Sequence, residues 1–196
     1  MTDITHVAIV LYEGFDELDA VGPYEVFRTT NAMGGAVDAS LVTLVPSQSI
    51  TASHGLTVEP DDVLLGQPDI VLVPGGGWND RSGAGAWAEV QDGTIPDRLA
   101  TLHENGVRIA SVCTGALLVA DAGLLDGRPA TTHHSARDDL ADYGADVSED
   151  RVVDDGDIIT AGGVTSGIDL ALHLVEGYCD AEIAEQVADE MEWQQH

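Results

Sequence analysis

Short apolar runs alternate with helix-patterned segments along this whole chain, and that alternation constrains its fold more than any other feature. Residues 7–12, 39–45 and 69–74, and the run Val107, Ile109, Ala110 and Val112, lack the apolar–polar alternation of a strand with one wet face. They read as strands covered on both sides. Between them, residues 16–30 place Leu18, Val21, Val26 and Phe27 at helical spacing, with Pro23 near the start. Residues 87–104 read as a helix, and 49–58 as an edge excursion or hairpin. Further on come a short strand at 128–132 and a helix at 135–143. The runs 151–154 and 157–160 flank Asp155-Gly156, a strong hairpin signal. Gly162-Gly163 opens an apolar helix at 164–178, and 181–193 forms an amphipathic one. The expectation is one α/β domain over residues 1–196, built on a mostly parallel, doubly wound sheet. In such sheets ligands bind beyond the carboxyl ends of the strands. Gly75-Gly76-Gly77 and Cys113 both fall at such ends.

At Cys113 the strand pattern becomes a helical one within a single residue: Thr114 and Gly115 lead straight into the run Ala116–Ala120. A side chain on such a turn stands above the sheet edge, which is the logic of a nucleophile elbow. Free N–H groups at the adjacent helix start are expected to favour a thiolate. The competing reading is a small buried hydrophobe, since free cysteine is among the most buried residue types.

Charge excludes several function classes. Thirty-five acidic residues face seven basic ones, all arginine, for a formal net charge of −28. The acids are spread along the chain rather than gathered in a tail, as Asp61-Asp62, Glu149-Asp150 and Asp189-Glu190 illustrate. Such a composition suits a cytoplasm of molar salt, where the Debye length falls to about 3 Å. Binding of basic partners is the rival account. No basic stripe exists to neutralise phosphates, so nucleic acid is not an expected partner. No apolar run reaches the roughly 18 residues of a membrane span, and no secretory signal opens the chain. Two cysteines, Cys113 and Cys179, are too few for a disulfide framework, which leaves a reducing cytoplasm as the expected location.

Five segments together resemble the ThiJ/PfpI superfamily, and within it the isonitrile hydratase branch. They are Phe15-Asp-Glu-Leu-Asp-Ala-Val-Gly-Pro-Tyr-Glu-Val-Phe27, Val71-Leu-Val-Pro-Gly-Gly-Gly77, Ser111-Val-Cys-Thr-Gly115, Gly123-Leu-Leu-Asp-Gly-Arg-Pro-Ala-Thr-Thr-His133 and Thr160-Ala-Gly-Gly-Val-Thr-Ser-Gly-Ile-Asp169. The resemblance implies a flavodoxin-like three-layer sandwich, a homodimer, a small-molecule substrate, no cofactor, and Cys113 on the elbow. It places Asp19 beside that cysteine as acid or base. A carboxyl near a thiolate, in an apolar setting of Leu18 and Val21, should have its pKa raised. The plainer account is helix N-terminal charge, since Asp16, Glu17 and Asp19 share one opening turn. Glu25 reads as a salt-bridge or dimer-contact residue.

Thr114 occupies the position that is His in the protease-like and chaperone-like branches, which argues against a Cys-His hydrolase. By resemblance its hydroxyl lies near the substrate. Gly75 and Gly76 can bring backbone N–H groups close to a reactant and, with the Thr114 N–H, form a hole for developing negative charge. The same glycines also suit an ordinary tight turn. Neither they nor residues 83–88 match a dinucleotide fingerprint. His133 is expected at the carboxyl edge, near Cys113 by resemblance, lining the pocket or pairing with the thiolate. His134 stands where the branch commonly has Trp. Adjacent strand residues face opposite ways, so His133-His134 is a poor metal site and none is expected. Cys179 is expected to pack.

Three functions of different class fit these residues. The first is a hydro-lyase adding water to an isonitrile or similar small electrophile. The second is an enzyme acting on 2-oxoaldehydes through a hemithioacetal of Cys113, in the manner of a glyoxalase or deglycase. The third is a non-catalytic oxidant sensor or protective protein. The ligand-sensing half of a transcription regulator is disfavoured, because the sequence ends at His196 without a helix-turn-helix module.

Overall fold

The structure is a computed structural model and describes residues 4–194. In chain order the strands are Thr5–Val10 (β1), Val37–Thr43 (β2), Ile50–Thr51 (β3), Thr57–Val58 (β4), Asp62–Val63 (β5), Ile70–Val73 (β6), Arg108–Val112 (β7), Pro129–Ala130 (β8), Asp146–Val147 (β9), Val152–Asp154 (β10) and Ile158–Ala161 (β11). The helices are Glu17–Ala32 (α1), Ala86–Asp92 (α2), Thr94–Glu104 (α3), Gly115–Asp121 (α4), Arg137–Asp142 (α5), Ser166–Tyr178 (α6) and Ala181–Glu190 (α7).

Seven strands form one sheet in the order β10-β11-β7-β6-β1-β2-β5. Every pairing in it is parallel except β10 with β11. The continuous apolar runs are explained by burial on both faces: Val7–Ile9, all of β6, and Ile109–Val112 are fully enclosed. Helices α1, α6 and α7 pack together in one layer, and α2, α3 and α4 in another. The chain is a flavodoxin-like three-layer sandwich. From β1 it runs outward to β2 on one side and returns to β6 on the other, so the order reverses between β1 and β6. Beyond that reversal lies the crevice where doubly wound sheets bind ligands. No helix among the described residues is long and apolar enough to cross a membrane.

Two expected elements are corrected. The helix over 87–104 is two helices, because Gly93 adopts φ +81° and ends α2 before α3 begins. The strand over 128–132 shrinks to β8, which pairs with β9 outside the main sheet. Pro129 and the polar residues around it offer too little apolar surface for a central position. The Asp155-Gly156 hairpin forms as expected, with Gly156 at φ +86° between β10 and β11.

Candidate active site

Three loops meet at the switch point: the turn after β1, residues 74–78 after β6, and the β7–α4 junction. Cys113 occupies that junction at φ +58°, in the left-handed region that a non-glycine residue adopts at a cost of roughly 1–3 kcal/mol. The surrounding backbone fixes it there. Its N–H donates to the carbonyls of Ala161 (3.0 Å) and Gly162 (2.9 Å), and its carbonyl accepts from Thr132 Oγ1 at 2.8 Å. Val164, β-branched and at φ +47°, is the second strained residue of the site. Its N–H faces both the Cys113 sulfur and the Asp19 carboxyl. Nothing in the side-chain pattern singles out Val164; the Gly162-Gly163 pair before it was the available signal.

Asp19 lies in the first turn of α1 and is fully buried. Leu18 is exposed and Val21 only half-buried, so these neighbours do not supply the expected apolar setting. They point elsewhere on the helix, while Asp19 projects under the sheet edge. Oδ2 accepts the Gly75 N–H at 3.0 Å, and Oδ1 has no hydrogen bond of standard geometry. Burial, then the nearby Asp16 charge, push this carboxyl up to about 8, against the Gly75 N–H, the Cys113 thiol and the Val164 N–H, which lower it. At neutral pH it therefore holds a proton, and a protonated carboxyl can direct its O–H at the sulfur. The Cys113 thiol is also pushed up, by burial first and then by the Asp19 charge. This corrects the expected resting thiolate: burial outweighs the N–H groups of Thr114 and Val164 that face the sulfur.

The anion hole is also corrected. The Gly75 N–H is committed to Asp19, and the Gly76 N–H donates to Thr114 Oγ1 at 2.9 Å. Both amides lock the loop instead of facing a reactant. The loop comes so close that a Cβ on Gly75 would lie 2.5 Å from both N and Oγ1 of Thr114. Because Thr114 Oγ1 accepts from Gly76, its own hydroxyl hydrogen is free for another acceptor.

Cys113, Thr114, Val164 and His133 line one cavity of about 610 Å³, together with Glu13, Asp16, His54, Trp78 and Asp80. Asp19 is not on its wall but beneath it. His133 reaches this cavity from a cap preceding a short 3-10 turn rather than from a strand end. Burial and the His134 ring lower its pKa, so the imidazole is neutral. The expected opposition of His133 and His134 fails because the chain turns there, and their rings lie 4.2 Å apart. Beside His54 of the cavity wall, burial opposes ionisation of Glu17. Hydrogen bonds with the His54 side chain and from the His54 and Leu56 N–H groups nevertheless hold it at about 2. Asp16, Glu17 and His54 can bring three ligand atoms within 4.8 Å of one another, though Glu17 is already engaged by these donors. Glu25 is exposed and forms no ion pair among the described residues. Cys179 lies far along the chain at the end of α6, where its sulfur accepts the Ala36 N–H at 3.2 Å.

A model of the DJ-1/PfpI family matches residues 5–177. The chain belongs to the DJ-1/PfpI family. Among curated family members it is 35% identical to the isonitrile hydratase of Pseudomonas putida over 191 residues, covering 95% of this chain and 78% of that protein. It is 30% identical over 185 residues to the HTH-type transcriptional regulator CdhR of Pseudomonas aeruginosa, 92% of this chain but 53% of the regulator. A crystal structure of a ThiJ/PfpI family protein from Pseudomonas syringae superimposes with a TM-score of 0.86 at 29% identity, over 100% of this chain and 77% of that one. The DJ-1/PfpI family thus includes an enzyme and a regulator on one scaffold, and membership alone does not choose between them.

Proposed function

We propose that this chain is a cysteine-dependent hydro-lyase that adds water to an isonitrile, or a similar small electrophilic carbon, giving an N-substituted formamide. One observation carries the reading: a buried carboxyl that keeps its proton at neutral pH sits directly under an elbow thiol. A disulfide-exchange or thiolate-sensing site needs a low-pKa sulfur. Here burial holds proton and sulfur together, which suits addition of S–H across an unsaturated carbon. The 35% identity to an isonitrile hydratase supports the same choice.

In this scheme the sulfur bonds to the terminal isonitrile carbon, and Asp19 relays the displaced thiol proton to that carbon, leaving a thioimidate. Water then adds to the same carbon. The C–S bond breaks, nitrogen takes up a proton, and the thiol is restored as formamide leaves. The Thr114 and Val164 N–H groups stabilise negative charge on the sulfur at both ends of the cycle. The Thr114 hydroxyl is available to the adduct.

Product analysis tests the proposal. The protein in molar salt is incubated with an alkyl isonitrile, or separately with methylglyoxal, beside Cys113→Ala. N-alkylformamide formed only by the unsubstituted protein is the expected result. Consumption of methylglyoxal alone would transfer the reading to the 2-oxoaldehyde class, and turnover of neither would leave the sensor reading.

A further inference from the structure

With the Gly75 and Gly76 amides committed elsewhere, His133, which lines the same cavity as Cys113, is a neutral side chain that can supply a donor to a developing charge. Its protonation pattern follows from its partners. The Ser135 N–H donates to His133 Nδ1 at 3.3 Å, and a backbone N–H can only donate. Nδ1 must therefore be an acceptor. Ser135 Oγ lies 2.7 Å from the same Nδ1, and it accepts from Asn79 Nδ2 at 2.7 Å. With its lone pair engaged by Asn79, the Ser135 hydroxyl is free to send its hydrogen to Nδ1. The Ser135 N–H contact requires the ring proton on Nε2, and the Ser135 hydroxyl then donates to the same Nδ1.

The opposite edge of the ring carries that proton, on a side chain that lines the same cavity as Cys113. The Cδ2–Nε2 edge packs against Gly163, where a Cβ would sit 2.4 Å from Cδ2 and 3.2 Å from Nε2. Gly163 directly precedes Val164, whose N–H faces Cys113. Only a residue without a side chain leaves room for the ring there.

We propose that Asn79 and Ser135 are positioning residues that fix His133 as its Nε2–H tautomer, making the neutral imidazole a hydrogen-bond donor to the adduct on Cys113. The role rests on the hydratase reading, where the acceptor is the thioimidate nitrogen or the oxygen of the added water. Asn79 lies on the loop that forms the cavity wall, so the relay also ties that wall to the reacting centre.

Nitrogen-15 NMR of histidine-labelled protein near pH 7.5 reads the tautomer directly, with turnover of an alkyl isonitrile measured beside it. In the unsubstituted protein His133 should show an unprotonated Nδ1 and a protonated Nε2. Ser135→Ala keeps the backbone N–H but should raise the Nδ1–H fraction several-fold. It should lower kcat by roughly three- to tenfold with little change in KM, as for a donor that matters most when charge develops. Ser135→Thr should restore both, and Asn79→Ala should fall between. A ring protonated at Nδ1 in the unsubstituted protein, or Ser135→Ala unchanged in tautomer and kcat, overturns the proposal. The expected tautomer shifts with no isonitrile turnover in any form would overturn the hydratase reading and the donor role, while leaving the relay geometry intact.

Discussion

The Gly75 N–H donates to Asp19 Oδ2 at 3.0 Å, so the loop after β6 grips the buried carboxyl beneath the nucleophile. One hydrogen bond thereby couples that loop to the first turn of α1. It also separates the two oxygens: Oδ2 is held by the backbone, and Oδ1 is left for the proton and the sulfur.

Asp19→Asn should keep the fold, because the amide oxygen can still accept from Gly75, but it removes the proton carrier. Turnover should fall by about 10²–10⁴, the usual worth of a positioned acid or base. The Cys113 titration should move down, since the second-largest cause of its elevation is the Asp19 charge. Alkylation rate against pH reads this directly. Unchanged turnover and an unchanged thiol titration would reduce Asp19 to a helix-start charge.

The same substitution should alter the pH dependence of stability. The Asp19 carboxyl rises from 3.8 to about 8 on folding, so between those values the native state binds more protons than the unfolded chain. Its contribution is fully present below about pH 4 and is lost as pH rises through about 8. At about 1.4 kcal/mol per unit, the difference is on the order of a few kcal/mol. Denaturant unfolding of both forms should show Asp19→Asn gaining relative stability from pH 5 to about pH 8 and levelling off above it. A constant difference would mean that folding does not raise the titration of this carboxyl.

Gly75→Ala should be far more damaging than a surface glycine change such as Gly66→Ala, which meets nothing within 4 Å. The new Cβ would clash with Thr114 and force the loop off α4, costing on the order of 1–3 kcal/mol. It should also break the grip on Asp19. Lower stability with faster Cys113 alkylation is expected; a silent Gly75→Ala would contradict the close approach.

Stability should rise with salt. Five of the seven arginines already form ion pairs, Arg28, Arg81, Arg128, Arg137 and Arg151, yet the formal net charge remains −28. Repulsion among the remaining acids must be screened before a net stability of a few kcal/mol survives. Melting temperature should climb between tenths of molar and molar KCl. A flat or falling curve would remove the high-salt reading. Sedimentation in molar salt tests the expected homodimer in the same samples.

By itself the sequence determined the layered α/β sheet, because continuous apolar runs admit only strands covered on both faces. It also determined the elbow at Cys113, where two periodicities meet at one residue. Its failures of secondary structure were at local turns. Gly93 divides a helix whose apolar pattern runs through it. The ring of His133 lies beside that of His134 because the chain turns, where strand alternation would have parted them. The state of the site belongs wholly to tertiary structure. Whether a backbone N–H faces substrate or another loop depends on contacts such as Gly75–Asp19, 56 residues apart in the chain. Whether a thiol ionises depends on burial, which here overrides the N–H groups at the start of α4. Periodicity reports which face of an element is covered, but it carries no record of which polar group lies against which, and that pairing decides the chemistry.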